Sequence, residues 1–243
     1  MPWIEESLAG RTTDIFEPTH DRKPFVILFL HGTDQQTLRG KRTFEQLLEQ
    51  YRLPAICPNG RQAWWTDRIC PPFDERRSAE QFILEDVLPY IERRWEVRPP
   101  GIGLLGVCMG GQGALRLAFR FPRIFPVVAA LAPAIDYYLA HGHGTILDLM
   151  YDSAEDCRLD AAPMHINPAD FPPYIFFSLD PEDTFWYRGV DRLQEKLRAL
   201  GIPFTGDLAT SAGGHTWQYF EHMAPKALHF VHEGLVAMAR RLL

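Results

Sequence analysis

The segment Gly106-Val-Cys-Met-Gly-Gly-Gln-Gly-Ala114 places a thiol at the centre of a glycine-rich turn. Its frame is G-x-S-x-G, with Cys108 where the serine would stand. Such a frame turns a strand sharply into a helix and holds a nucleophile in strained backbone between small neighbours. Gly106 and Gly110 are those neighbours. At a helix N-terminus the positive end of the dipole favours a thiolate over a thiol. The N–H of Met109 then becomes one half of an oxyanion hole. The other half is expected from "LHGTD" at 30–34, by the N–H of Thr33, with Asp34 as the alternate.

A nucleophile of this kind needs a base, and the base needs an orienting acid. His215, in "SAGGHTW", lies between flexible glycines and a helix start, so its ring can swing onto Cys108. The acid is expected after "YIFFSL", at a strand's carboxyl end, where Asp180, Glu182 and Asp183 stand; Asp180 and Asp183 both fit. Taken singly, Cys108 suits a small buried residue, His215 an ordinary loop and Asp183 a helix cap. Together they follow the order nucleophile, acid, histidine, each at an element junction.

The elements that must position them alternate. "PFVILFL" (24–30), "LPAICP" (53–58), "GIGLLGV" (101–107), "VVAALAP" (127–133), "YIFFSL" (174–179) and "IPFTGDL" (202–208) read as strands. Helices are expected over 42–51, from Ser78 to about Trp95, over the segment starting at Met109 and stopped by Pro122, over 188–200, and over 216–243. Ser78 with Gln81 makes a capping box, and Gly201 suits a left-handed C-cap. Alternation implies right-handed crossovers and a mainly parallel sheet with helices on both faces, in a single α/β domain over 1–243. Residues 134–173, rich in Pro, Asp, His and Tyr, form an excursion where a lid or pocket wall would fit.

A net charge of −6, with no Lys/Arg run, argues against a nucleic-acid partner. No apolar stretch reaches the roughly 18 residues of a membrane span, and the acidic start is unlike a signal peptide, so a cytoplasmic location is expected. The four cysteines contain no C-x-x-C pair and are read as free thiols. No metal is expected: His141 and His143 in "HGHG" have no evident co-ligand, and the segment reads as a flexible loop. The glycines at 101–113 match no dinucleotide fingerprint, and no cofactor is indicated. The basic "ERR" and "RR" pairs read as solvated faces.

"FVILFLHG", "WWTD", "FILEDVLPYIERRW", "GLLGVCMGGQGALRLAFRFPRIFPVVAALAP" and "GGHTWQYF" together resemble the putative-esterase branch of the α/β hydrolases, which includes esterase D and feruloyl-esterase-like enzymes. The resemblance covers most of the chain and implies an α/β-hydrolase fold and ester hydrolysis. In that family the acid ends a G-x-x-D turn, which falls on Asp180–Asp183 and selects Asp183; Asp180 replaces the usual glycine. Cys108 departs from the family's serine. Dienelactone hydrolase is similar in using a cysteine at its elbow, which makes a lactone or thioester hydrolase the alternative. A silent hydrolase fold, or a deliberate serine-to-cysteine exchange, would read the same. The expected partner is a small-molecule ester, lactone or thioester. Substrate-binding residues are expected among His31, Trp64, Trp65, Trp186 and Trp217, aromatics near the strand ends that suit an apolar acyl group. The oligomeric state is not legible.

Overall fold

Continuous apolar runs build the centre of the sheet. The computed structural model describes residues 2–241. Strands β3 (Val26–Leu30), β5 (Ile102–Val107) and β6 (Val127–Leu131) are buried at every position, the pattern of parallel strands covered on both faces. With β1 (Trp3–Leu8), β2 (Arg11–Phe16), β4 (Ala55–Pro58), β7 (Tyr174–Ser178) and β8 (Thr205–Asp207) they make an eight-stranded sheet ordered β1-β2-β4-β3-β5-β6-β7-β8. Pairing is parallel from β4 through β8; β1–β2 and β2–β4 are antiparallel.

Two glycines of β5 let helices approach closely. A Cβ at Gly103 would come within 2.5 Å of Val231 in helix α8 (Trp217–Arg240), and one at Gly106 within 2.1 Å of the Gly110 carbonyl in α4 (Met109–Arg120). These positions are three apart, so the two helices cover opposite faces of the strand. Helix α1 (Arg42–Tyr51) packs against α8. Ser78 caps α2 (Ala79–Phe82) with both halves of the capping box formed, and a π turn over Ile83–Val87 carries the chain into α3 (Leu88–Trp95). The excursion holds α5 (Leu147–Met150) and α6 (Ala154–Leu159) between short 3₁₀ turns.

Several boundaries differ from the sequence reading. The hairpin β1–β2 adds two strands; its connection, Ala9-Gly10, has both residues at positive φ (49° and 77°), the twist that two-residue hairpins require. Helix α7 (Thr184–Ala199) begins four residues earlier than expected because the Asp183 side chain accepts from Trp186 N–H as its N-cap. The closing helix is α8, and the final two residues of the expected span lie outside the described residues. Arg94 of the "ERR" run is not a solvated charge: its guanidinium donates to Glu17 and Glu6, both at 2.7 Å, and ties α3 to the N-terminal hairpin and the segment following it. "HGHG" is an ordered turn, with Gly142 and Gly144 N–H groups donating to Asp148 at 2.6 and 2.8 Å.

Candidate active site

Cys108 sits between β5 and α4 with φ 52° and ψ −119°. That backbone is costly for a non-glycine residue and persists because its surroundings over-determine it. Its N–H donates to the Leu131 carbonyl at 3.0 Å, and its carbonyl accepts from Ala134 and Gln112, both at 3.1 Å. Around it, Gly110 cannot be larger: a Cβ there would stand 1.9 Å from the Leu30 carbonyl oxygen. The glycine frame of the sequence is therefore a requirement of packing, and it leaves the thiol half-buried beneath the loops at the strand ends.

His215 reaches the same point from the loop between β8 and α8. Gly213 and Gly214 take positive φ (100° and 70°), and Thr216 caps α8 by accepting from Tyr219 N–H. The Nδ1–H of His215 donates to Asp183 Oδ2 at 2.6 Å. Its Nε2 is buried without another hydrogen-bond partner and has the Cys108 sulfur as its polar neighbour. Burial favours the neutral ring, but the Asp183 carboxylate and a Cys108 thiolate outweigh it and push His215 up to about 10.

The other acid, Asp180, does something different. It accepts from Ala212 and Gly214 N–H at 2.6 and 2.9 Å, and from Glu182 N–H at 2.8 Å. Burial opposes its charge, and those amides hold its pKa below the ordinary carboxylate range. Asp180 fixes the loop that carries His215; Asp183 contacts the ring.

The N–H groups of Met109 and Thr33 have no protein hydrogen-bond partner among the described residues. Both belong to segments that meet at Cys108, since a Cβ on Gly32 would touch the Cys108 Cβ at 3.1 Å. Free amides converging beside a nucleophile can bind a developing oxyanion. Two chambers flank the thiol. One, of about 510 Å³, is lined by Trp64, Ile146, Leu147, Phe185 and Trp186 and by Cys108 and His215. The other, of about 180 Å³, includes Asp34, Thr216 and Trp217. Trp217 Nε1–H donates to Asp34 Oδ2 at 2.7 Å.

Of the five expected substrate-binding side chains, Trp64, Trp186 and Trp217 line these chambers, whereas His31 and Trp65 do not. Both are fully buried. His31 donates from Nδ1 to the Gly32 carbonyl at 2.7 Å and accepts at Nε2 from Gly60 N–H at 2.9 Å; with both nitrogens engaged, the ring braces the Thr33 loop. Trp65 fills space that the lack of a Cβ at Gly60 and Gly113 leaves open, and its Nε1–H donates to the His31 carbonyl. The sequence reading missed Phe185 and the excursion's Ile146 and Leu147 as lining residues; only Phe185, beside Trp186, carried a local signal.

A strained elbow after the central parallel strand, a histidine loop before the last helix and a mainly parallel sheet define the α/β-hydrolase class. The family model described as "Putative esterase" matches residues 9–200, and the chain belongs to that family. The chain also superposes on a ferulic acid esterase with a TM-score of 0.74, at 18% identity over 92% of this chain and 93% of that one. An S-formylglutathione hydrolase from Agrobacterium tumefaciens gives a TM-score of 0.76 at 16% identity, over 96% and 94% of the two chains. A fluorophosphonate-binding serine hydrolase from Staphylococcus aureus gives 0.72 at 15%, over 95% and 97%. At these identities the likeness is one of fold. No curated protein matches the chain. No helix among the described residues is long and apolar enough to cross a membrane.

Proposed function

We propose that the protein hydrolyses carboxylic thioesters and activated esters through an acyl-enzyme on Cys108, with His215 as acid and base and Asp183 orienting it. The observation that carries this reading is the 2.6 Å Asp183–His215 bond that leaves Nε2 free beside a thiol in an elbow conformation. The thiolate attacks the carbonyl carbon, a C–S bond forms, and the carbonyl electron pair moves onto oxygen between the Met109 and Thr33 N–H groups. As the pair returns, the bond to the leaving group breaks, and His215 gives its Nε2 proton to that group. The now neutral ring takes a proton from water, the hydroxide attacks the thioester, and the C–S bond breaks to restore thiolate and imidazolium.

The sulfur sets the substrate class. A tetrahedral intermediate expels its better leaving group, and a thiolate leaves more readily than an alkoxide. Attack on a simple alkyl ester therefore mostly reverses, whereas thioesters, aryl or enol esters and enol lactones carry leaving groups that compete with Cys108. The test is intact-protein mass spectrometry after mixing with 4-nitrophenyl acetate and an acetyl thioester, beside turnover by Cys108→Ser and Cys108→Ala. One acyl adduct on Cys108 with each substrate, and loss of turnover in Cys108→Ala, are expected. An unmodified Cys108 with both substrates would sink the proposal.

A further inference from the structure

The Trp64 wall of the larger chamber is held from behind by a buried relay. Trp64 and Trp65 both take left-handed backbone (φ 53° and 56°), which bulky residues rarely adopt. Trp65 is locked between glycines, so Trp64 is presented toward the chamber from a fixed base. Behind it, the Tyr137 ring stacks on Trp64 with centroids 4.5 Å apart and planes at 18°. The two tyrosine hydroxyls, Tyr137 and Tyr151, are 3.2 Å apart, and Tyr151 donates to Asp160 Oδ2 at 2.8 Å. The Asp160 carboxylate in turn binds Arg116 of α4, whose Nε–H donates to Oδ1 at 2.9 Å. One helical turn nearer the nucleophile, Gln112 accepts from Ala162 N–H at 2.6 Å. The helix that carries Cys108 thus also anchors the excursion, and the anchored chain ends on the face of Trp64.

Resting on the hydrolase reading above, we propose that Tyr137 is a positioning residue for acyl selectivity: it sets the depth of the larger chamber by holding Trp64. The acyl chain belongs in this chamber because it is the roomier of the two, about 510 against 180 Å³, and presents Trp64, Ile146, Leu147, Phe185 and Trp186; the smaller chamber is left for the leaving group. Loss of the stacked ring frees Trp64 to tilt, which penalises chains long enough to touch it and spares an acetyl group.

The experiment is a double-mutant cycle on Trp64→Ala and Tyr137→Leu, read as kcat/KM for 4-nitrophenyl hexanoate over that for 4-nitrophenyl acetate. Tyr137→Leu should lower this ratio about five- to tenfold through KM for hexanoate, the scale of a lost aromatic pair. In the Trp64→Ala background the same change should leave the ratio unmoved, because the residue it acts through is gone. Tyr151→Phe, which keeps both rings and cuts the hydroxyl relay, should shift the ratio in the same direction by less, and it serves if Tyr137→Leu does not fold. An unchanged ratio in both tyrosine variants, or effects that simply add, would overturn the proposal while hydrolysis itself stood. No turnover of either ester and no adduct on Cys108 in the unmodified protein would overturn both readings together.

Discussion

The start and the middle of helix α4 are built on opposite terms. At its start, Cys108 is strained, its thiol half-buried, and the polar groups near it are left open: the N–H of Met109, the N–H of Thr33 and the Nε2 of His215. Two turns on, Arg116 is completely buried and closed off by two carboxylates, Glu80 and Asp160. Each nitrogen of this buried cation already donates to Glu80 or Asp160, so its charge is spent on holding the fold. An open valence beside a nucleophile is a cost to the fold and a resource for a transition state. The contrast separates a working cluster of charges from a supporting one better than burial alone, since Asp183 and Asp160 are both nearly inaccessible.

The sharpest way to break this contrast is at the acids. Asp183→Asn should cut kcat roughly ten-thousandfold, as loss of a triad acid does by leaving the histidine in the wrong tautomer. If it costs stability and leaves kcat alone, the open end of the helix is not a working site. Next in size, Arg116→Ala should cost about 3–5 kcal/mol in denaturant titration, because two carboxylates are stranded in the core. The folded fraction should still acylate with 4-nitrophenyl acetate at the original rate.

Two histidines, His215 and His31, respond to pH with opposite signs. His215 is raised to about 10, so its pairing stabilises the fold fully below its ordinary value near 6.5 and loses that contribution as pH climbs toward 10. Cys108→Ser removes one of the groups that raise the ring, so the His215 titration followed by NMR should move down. His31 is held below its ordinary value, first by burial. Its sign is opposite: the unfolded chain binds a proton near pH 6.5 that the folded ring refuses, so stability declines as pH falls through that range. The smallest effect is at the α2 cap, where Ser78→Ala should cost about 1 kcal/mol without touching activity.

Much of the site was legible because it is made of local signals. Glycines at fixed offsets around Cys108, an acid after a buried strand and "GGH" before a helix each mark a backbone event that only certain residues allow. The choice between Asp180 and Asp183 was not local, since it depends on which carboxylate faces the ring and which gathers amides. The hairpin β1–β2 was silent because β1 is largely exposed and Ala9-Gly10 is a weaker turn signal than Asn-Gly. Arg116 carries no signal in the sequence, for its partners Glu80 and Asp160 lie 36 and 44 residues away. His31 and Trp65 misled for the same reason: aromatic type at a strand end suggests a ligand, and only tertiary packing reveals a brace.

The placement of the cysteines has a practical consequence. Cys57, Cys70 and Cys157 are buried, and burial raises all three thiols, Cys157 to about 12. Only thiolates react quickly with alkylating reagents. In native buffer the chain should therefore titrate as a monothiol, and in denaturant as a tetrathiol. The prompt equivalent counts competent sites, and the delayed three keep time with global opening of the chain, so a bottle of colorimetric thiol reagent becomes a clock for its unfolding.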